Sequence, residues 1–229
     1  MLKKVVLISG GAAVGKTAVL KNIIPLLQSK DLALSVCKID CVATRDGLVY
    51  QNMNIPHVVG ISGDICPDHF LVSNLPELYH WADEKQSDVL LIETAGLCHR
   101  CSPATEQMAA GCALDCTSSC HAPAQLGPML TYADFVVLTK IDMVSQAERE
   151  IILWKIKELN PTAKLFTVDG LTGYGAEGLA DWLSCFSKET NFDDDVLRHS
   201  MPSGVCSYCV GEKRVGSAYQ QGVVGKIEF

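Results

Sequence analysis

No apolar run in the chain approaches the roughly 20 residues needed to cross a bilayer, which argues against a membrane-spanning protein. Positive charge is scarce. Nineteen Lys and Arg face 26 Asp and Glu, for a formal net charge of −7. An acidic chain is poorly suited to nucleic acid or to an anionic membrane surface. Internal repeats and low-complexity tracts are absent. The N-terminus lacks the long apolar core of a secretory leader: its short run, Val5 to Ile8, passes straight into glycines, so it reads as a strand and the protein as cytosolic. An even cysteine count is missing too. Eleven cysteines among 229 residues do not fit the closed disulfide framework of a small secreted module. In a cytosolic chain, clustered Cys points instead to metal, an iron–sulfur cluster or redox chemistry.

What remains is a globular composition, 48% apolar and 20% charged, able to bury one sizeable core. Short apolar runs alternate with amphipathic stretches. Lys3–Ser9, Ala33–Ile39, His57–Ile61, Asp88–Ile92, Asp134–Leu138 and Lys164–Val168 read as strands. DVLLI and DFVVL are continuous apolar runs of the kind found in a parallel sheet covered on both faces. Helices are expected after Gly15, over Phe70–Asp83 with Pro76 as a possible bend, over Ala147–Leu159, and from Gly178 to Phe186. Alternating strands and helices predict a three-layer α/β fold with a mostly parallel sheet. Two regions break the pattern: a long cysteine-rich insertion over about 97–128, and a Gly- and Val-rich tail. The division expected is a body over 1–190 and a small β-rich C-terminal appendage over 191–229.

Gly10, Gly11, Ala12, Ala13, Val14, Gly15, Lys16 and Thr17 match G-x-x-x-x-G-K-[ST], placed between a strand and a helix that opens through Ala18. Glycines let the backbone N–H groups turn toward phosphates, and the helix N-terminus adds favourable partial charge. Lys16 is expected to reach the β- and γ-phosphates and the Thr17 hydroxyl to ligate Mg²⁺. Thr139, Lys140, Ile141 and Asp142 follow the strand ending at Leu138 and resemble the N/T-K-x-D guanine signature. There a carboxylate accepts from guanine N1–H and its exocyclic amine, a donor pair adenine lacks. Asp169, Gly170 and Leu171, after the next strand, stand where a base-flanking loop belongs.

Glu93-Thr94-Ala95-Gly96 directly follows DVLLI. Where most GTPases carry D-x-x-G, a glutamate resembles the SIMIBI-class P-loop GTPases of metal maturation, the family of the hydrogenase and urease nickel-insertion proteins and the CobW-like metallochaperones. Asp40-Cys41-Val42-Ala43-Thr44-Arg45-Asp46 extends the resemblance, and the motifs run in family order over about residues 3–185. The resemblance implies a GTPase with Lys16, Asp40 and Glu93 in catalysis. It implies Mg²⁺ held by Thr17, Asp40 and Glu93, with Asp46 and Gly96 at the nucleotide. It further implies a nucleotide-dependent homodimer and a client metalloenzyme or its maturation factor. The loop Gly60 to His69 resembles the hydrogenase-maturation segment T-G-x-x-C-H, in which Cys and His, with a Cys shortly after E-x-x-G, bind nickel or zinc. Cys66 matches the first position and Cys98 the last. Pro67 stands at the His position, and His69 follows two residues later.

Cys98-x-x-Cys101 and Cys206-x-x-Cys209 are spaced for two thiolates to converge on one ion or cluster. Cys112, Cys116 and Cys120, four apart, are expected on one face of a short helix and join Cys66, His69, Cys98, Cys101, Cys206 and Cys209 as candidate ligands of a transition metal or cluster. Cys37, Cys41 and Cys185 read as small core residues. Thiolate with imidazole suits Zn²⁺, Ni²⁺ or Cu⁺. The function expected is a GTP-hydrolysing metallochaperone, nickel-type favoured. The alternative is an iron–sulfur protein in which nucleotide gates cluster or electron transfer to a partner.

Overall fold

The computed structural model describes residues 2–96, 99–188, 192–200, 211–220 and 224–229. Seven strands form one sheet in the order β3-β2-β4-β1-β5-β6-β7, and every pairing is parallel. In chain order they are β1 (Lys4–Gly10), β2 (Leu34–Asp40), β3 (His57–Ile61), β4 (Val89–Glu93), β5 (Ala109–Asp115), β6 (Phe135–Thr139) and β7 (Lys164–Thr167). The helices are α1 (Lys16–Gln28), α2 (Gly47–Asn52), α3 (Pro67–Val72), α4 (Leu75–Glu84), α5 (Ala122–Gln125), α6 (Pro128–Thr131), α7 (Gln146–Leu159) and α8 (Ala176–Cys185).

The continuous apolar strands are explained by layers on both faces. One face packs Val6, Ile8 and Leu91 against Ile23, Ile24 and Leu27 of α1 and Leu179 and Leu183 of α8. The other packs Leu7, Leu90 and Ile92 against Leu71 of α3 and Leu75 and Leu78 of α4. α7 starts where Ser145 and Glu148 form a reciprocal capping box, which satisfies two end N–H groups. Among the described residues no helix is long and apolar enough to cross a membrane.

Three expectations need correction. The cysteine-rich segment is not an insertion outside the sheet, because it contains β5, a strand next to the central β1. Its Ala and Gly residues give little strand signal. They fit because the space is small: a side chain at Gly111 would start 2.3 Å from the Phe135 ring. Cys112 is therefore on a strand, not a helix face, and it packs with Cys116 among Leu114, Leu126 and Val136. The single helix over Phe70–Asp83 is two, α3 and α4, parted at Ser73 and Asn74. Finally, the described residues after α8 form no β-rich appendage. They make two isolated bridges, Thr105 with Leu197 and Val196 with Arg214, and pack on the body. Leu197, Val215 and Ile227 join the core under α4, and the Asn74 side chain holds Ile227 N–H at 3.0 Å and Gly225 O at 3.1 Å.

Sequential strands step from β1 outward to β2 and β3, return at β4, then cross to β5 on the far side of β1. This reversal opens a crevice at the carboxyl ends of the central strands, the place where open α/β sheets bind ligands.

Candidate functional site

The loop Gly10–Gly15 leaves β1 at this crest and hands the chain to α1. Gly15 at φ +94° and Ala13 at φ +58° curl it in the left-handed region. Lys16 folds over the loop, donating to Gly10 O at 3.1 Å and Gly11 O at 2.7 Å. Burial lowers its pKa to about 8, with Glu93 working to raise it and Lys38 to lower it further. The loop is braced from the next strands. Thr139 Oγ1 donates to Val14 O at 2.6 Å, and Lys140 Nζ reaches Ala13 O at 3.2 Å and pairs with Asp115.

Glu93, at the end of β4, is 1% exposed and is the hub of a polar network. Its Oε1 accepts from Thr17 Oγ1 at 2.7 Å and from Lys38 Nζ at 2.5 Å, and its Oε2 accepts from Tyr50 Oη at 2.8 Å. Asp46 joins through Lys38 at 3.1 Å and Thr17 at 3.4 Å. Burial opposes the charge of Lys38, but Glu93 and Asp46 outweigh it and hold its pKa above the ordinary value. Lys38 and Tyr50 escaped the motif reading. The available signal was a lysine inside a buried strand, since such a charge needs a partner. Asp40 stands outside the network: its Oδ1 accepts from the Cys41 N–H at 2.9 Å. Besides Glu93, the carboxylate that accepts from the Thr17 hydroxyl is Asp46. Gly96 lies against the phosphate loop, at φ +78°, where a Cβ would come within 2.2 Å of Gly10 O and 2.7 Å of Lys16 Nζ.

On the other side of the loop a cavity of about 230 Å³ is lined by Gly15, Ala18, Thr139, Lys140, Asp142, Met143, Asp169, Gly170 and Leu171. It unites the two stretches read from sequence as a base site. Asp169 is occupied in its own loop, accepting from Leu171 N–H at 2.8 Å and Thr172 Oγ1 at 2.5 Å. Asp142 is exposed at the rim.

The transition-metal ligands proposed from sequence separate into groups. Cys66, His69 and Cys101 bring their ligand atoms within 4.8 Å of one another. Cys66 precedes α3, and His69 follows one turn on. A hydrogen bond with Cys101 lowers the Cys66 pKa to about 5 against the opposing effect of burial, helped by the His69 and Asp68 backbone. Asp68, 4% exposed, has an Oδ2 without a hydrogen-bond partner among the described residues. Cys112 and Cys116 belong to the core, and burial raises their thiols to about 12 and about 11, so they are poor thiolate ligands. Cys120 is exposed and lies outside the triad. Cys98, Cys206 and Cys209 lie outside the described residues. Cys37 is buried as expected, Cys41 is half-buried, and Cys185 is exposed, contrary to the core reading.

The family profile described as "CobW/HypB/UreG, nucleotide-binding domain" matches residues 4–167. The chain is 42% identical, over 98% of its length and 96% of the relative's, to an uncharacterized protein of Methanocaldococcus jannaschii. It is 26% identical to the urease accessory protein UreG of Yersinia pestis, over 86% of this chain and 92% of that one. Among solved structures, HypB from Helicobacter pylori in complex with nickel superposes with a TM-score of 0.61 at 18% identity, covering 82% of this chain and 91% of the other.

Proposed function

The chain belongs to the CobW/HypB/UreG family of nucleotide-binding domains, and from that premise we propose that it is a GTP-hydrolysing metallochaperone that carries a nickel-type ion to a client metalloenzyme. The observation that supports this best is where Glu93, Gly96 and Cys101 are placed. Glu93 bonds Thr17, Gly96 packs against the phosphate loop, and Cys101 completes the triad with Cys66 and His69. Residues close in sequence thus touch both a phosphate site and a soft ligand set. Two thiolates and an imidazole suit Ni²⁺ or Zn²⁺ as cargo.

In this reading Lys16 neutralises the β- and γ-phosphates and the loop N–H groups cradle them. Asp142 selects guanine at the cavity rim, and Glu93 with Asp40 orders the attacking water. Thr17, Glu93 and Asp46 offer hard oxygen donors that fit Mg²⁺, which when bound would supply charge to the phosphates. Loss of the γ-phosphate frees Gly96 and so alters the triad, a ligand-driven switch. Val42, Leu48 and Ile61 expose apolar surface at the edge of the crest, consistent with a nucleotide-dependent homodimer.

The test is the pair Cys66→Ser with Cys101→Ser, purified anaerobically and assayed for bound metal and for GTP binding. The variant is expected to lose its transition metal and to keep GTP. Full metal stoichiometry in the variant would overturn the triad. A brown chromophore in the parent protein would replace the single ion with an iron–sulfur cluster.

A further inference from the structure

We propose that Lys38 is the resident counter-ion of the oxygens expected to take Mg²⁺, and that it keeps them closed to divalent ions until a triphosphate arrives. The inference rests on the reading above, in which Thr17, Glu93 and Asp46 hold Mg²⁺ beside the nucleotide. Its basis is geometric. Lys38 Nζ lies 2.5 Å from Glu93 Oε1 and 3.1 Å from Asp46 Oδ2. Thr17 Oγ1 donates to the same Glu93 oxygen at 2.7 Å and to the same Asp46 oxygen at 3.4 Å. The oxygen groups that suit Mg²⁺ are therefore already gathered around one ammonium.

The fold fixes that ammonium in place. Lys38 is opposite Glu93 in the β2–β4 register, and its side chain is only 6% exposed. It cannot swing to solvent as a surface lysine does. Glu93 and Asp46 against Lys38 leave a single net negative charge, which the nearby Lys16 ammonium reduces further. A divalent ion entering alone meets a buried like charge at close range, in surroundings where Coulomb forces are poorly screened. A triphosphate brings several negative charges to the same place, and the balance reverses. Divalent ion then enters with the nucleotide and not before it.

This order matters for a protein that also handles a transition metal. Nickel binds a given oxygen and nitrogen donor set more tightly than magnesium does. An open pair of carboxylates would compete with the triad for cargo. A fixed ammonium closes that pair without hindering the thiolates.

The experiment uses the full chain and MgCl₂ alone as probe, because thiolates do not compete for it. Thermal melting and titration calorimetry are run on the parent, Lys38→Met and Lys38→Arg, with binding of a fluorescent GTP analogue as a parallel control. The parent and Lys38→Arg are expected to show no Mg²⁺-dependent rise in Tm without nucleotide. Lys38→Met is expected to melt several degrees lower in chelator, to recover with millimolar Mg²⁺, and to bind Mg²⁺ at least tenfold more tightly than the parent. Equal or weaker Mg²⁺ binding by Lys38→Met, with GTP binding intact, overturns the inference and leaves Lys38 a positioning residue. Should Lys38→Met not fold, the parent alone decides: nucleotide-free Mg²⁺ binding as tight as that with GDP overturns the proposal, and none supports it. Failure of the parent to bind the GTP analogue strikes the underlying reading instead.

Discussion

Asp68 and Cys66 are two residues apart and are driven in opposite directions. Burial, and then the neighbouring Cys66, push the Asp68 carboxyl from its ordinary 3.8 up to about 8, against the pull of Lys16. Cys66, through its bond with Cys101, falls to about 5. The sign of each effect on stability follows from which state holds the proton. Between about pH 4 and 8 native Asp68 keeps a proton that the unfolded chain has lost, so its contribution is fully present below about pH 4 and fades as the pH rises toward 8. Cys66 does the reverse, adding stability as the pH rises from about 5 toward 9. The two slopes offset in the parent, and removing one exposes the other. Asp68→Asn keeps the shape and cannot ionise. It is expected to gain on the parent steadily from pH 4 to 8. Chemical unfolding at several pH values with metal chelated checks this, and a difference that does not vary with pH removes Asp68 as a buried acid.

At the scale of elements, β5 shows what periodicity can and cannot reveal. β1, β4 and β6 are rich in Val, Ile and Leu, and their covered faces make them legible as apolar runs. β5 reads Ala, Ala, Gly, Cys, Ala, Leu, Asp, and neither alternation nor branched residues mark it. Its place is set by neighbours distant in sequence: the Phe135 ring fills the room that a side chain at 111 would take. Without that strand, two core cysteines look like ligands, because closeness in sequence is not closeness in space. The split between α3 and α4 has a similar origin, since Asn74 is committed to Gly225 and Ile227 about 150 residues later. Gly111→Val should be the sharpest probe of the crowded strand. Overpacking of this kind typically costs about 1–3 kcal/mol. A urea midpoint unchanged from the parent would mean that Phe135 yields without cost.

For the molecule as a whole, the phosphate and base motifs were legible because each is a short stretch with its chemical groups at fixed spacing. Lys38, Tyr50 and the triad were less so, since the sheet assembles them from separate turns of the chain. What the assembly adds is nearness of the two groups along the chain. Gly96 rests on the phosphate loop with no room for a Cβ, at a φ that side chains rarely adopt, and Cys101 follows five residues later in contact with Cys66. A ligand that moves Gly96 is expected to bias the triad, and by linkage metal then biases nucleotide by the same factor. Gly96→Ala breaks this seat while leaving Cys66, His69 and Cys101 in place. In the parent, Ni²⁺ affinity is expected to differ between a non-hydrolysable GTP analogue and GDP by about 5- to 150-fold, the usual range for coupled sites. In Gly96→Ala the protein should still bind Ni²⁺, but with nearly one affinity in all nucleotide states. Calorimetric titration of Ni²⁺ into each form measures both quantities. A variant that still binds nucleotide and retains the parent's full ratio would show that the coupling runs elsewhere, through Asp68 toward Lys16 or across a dimer. A parent with no ratio at all would leave a GTPase and a metal site that share a fold without sharing a switch.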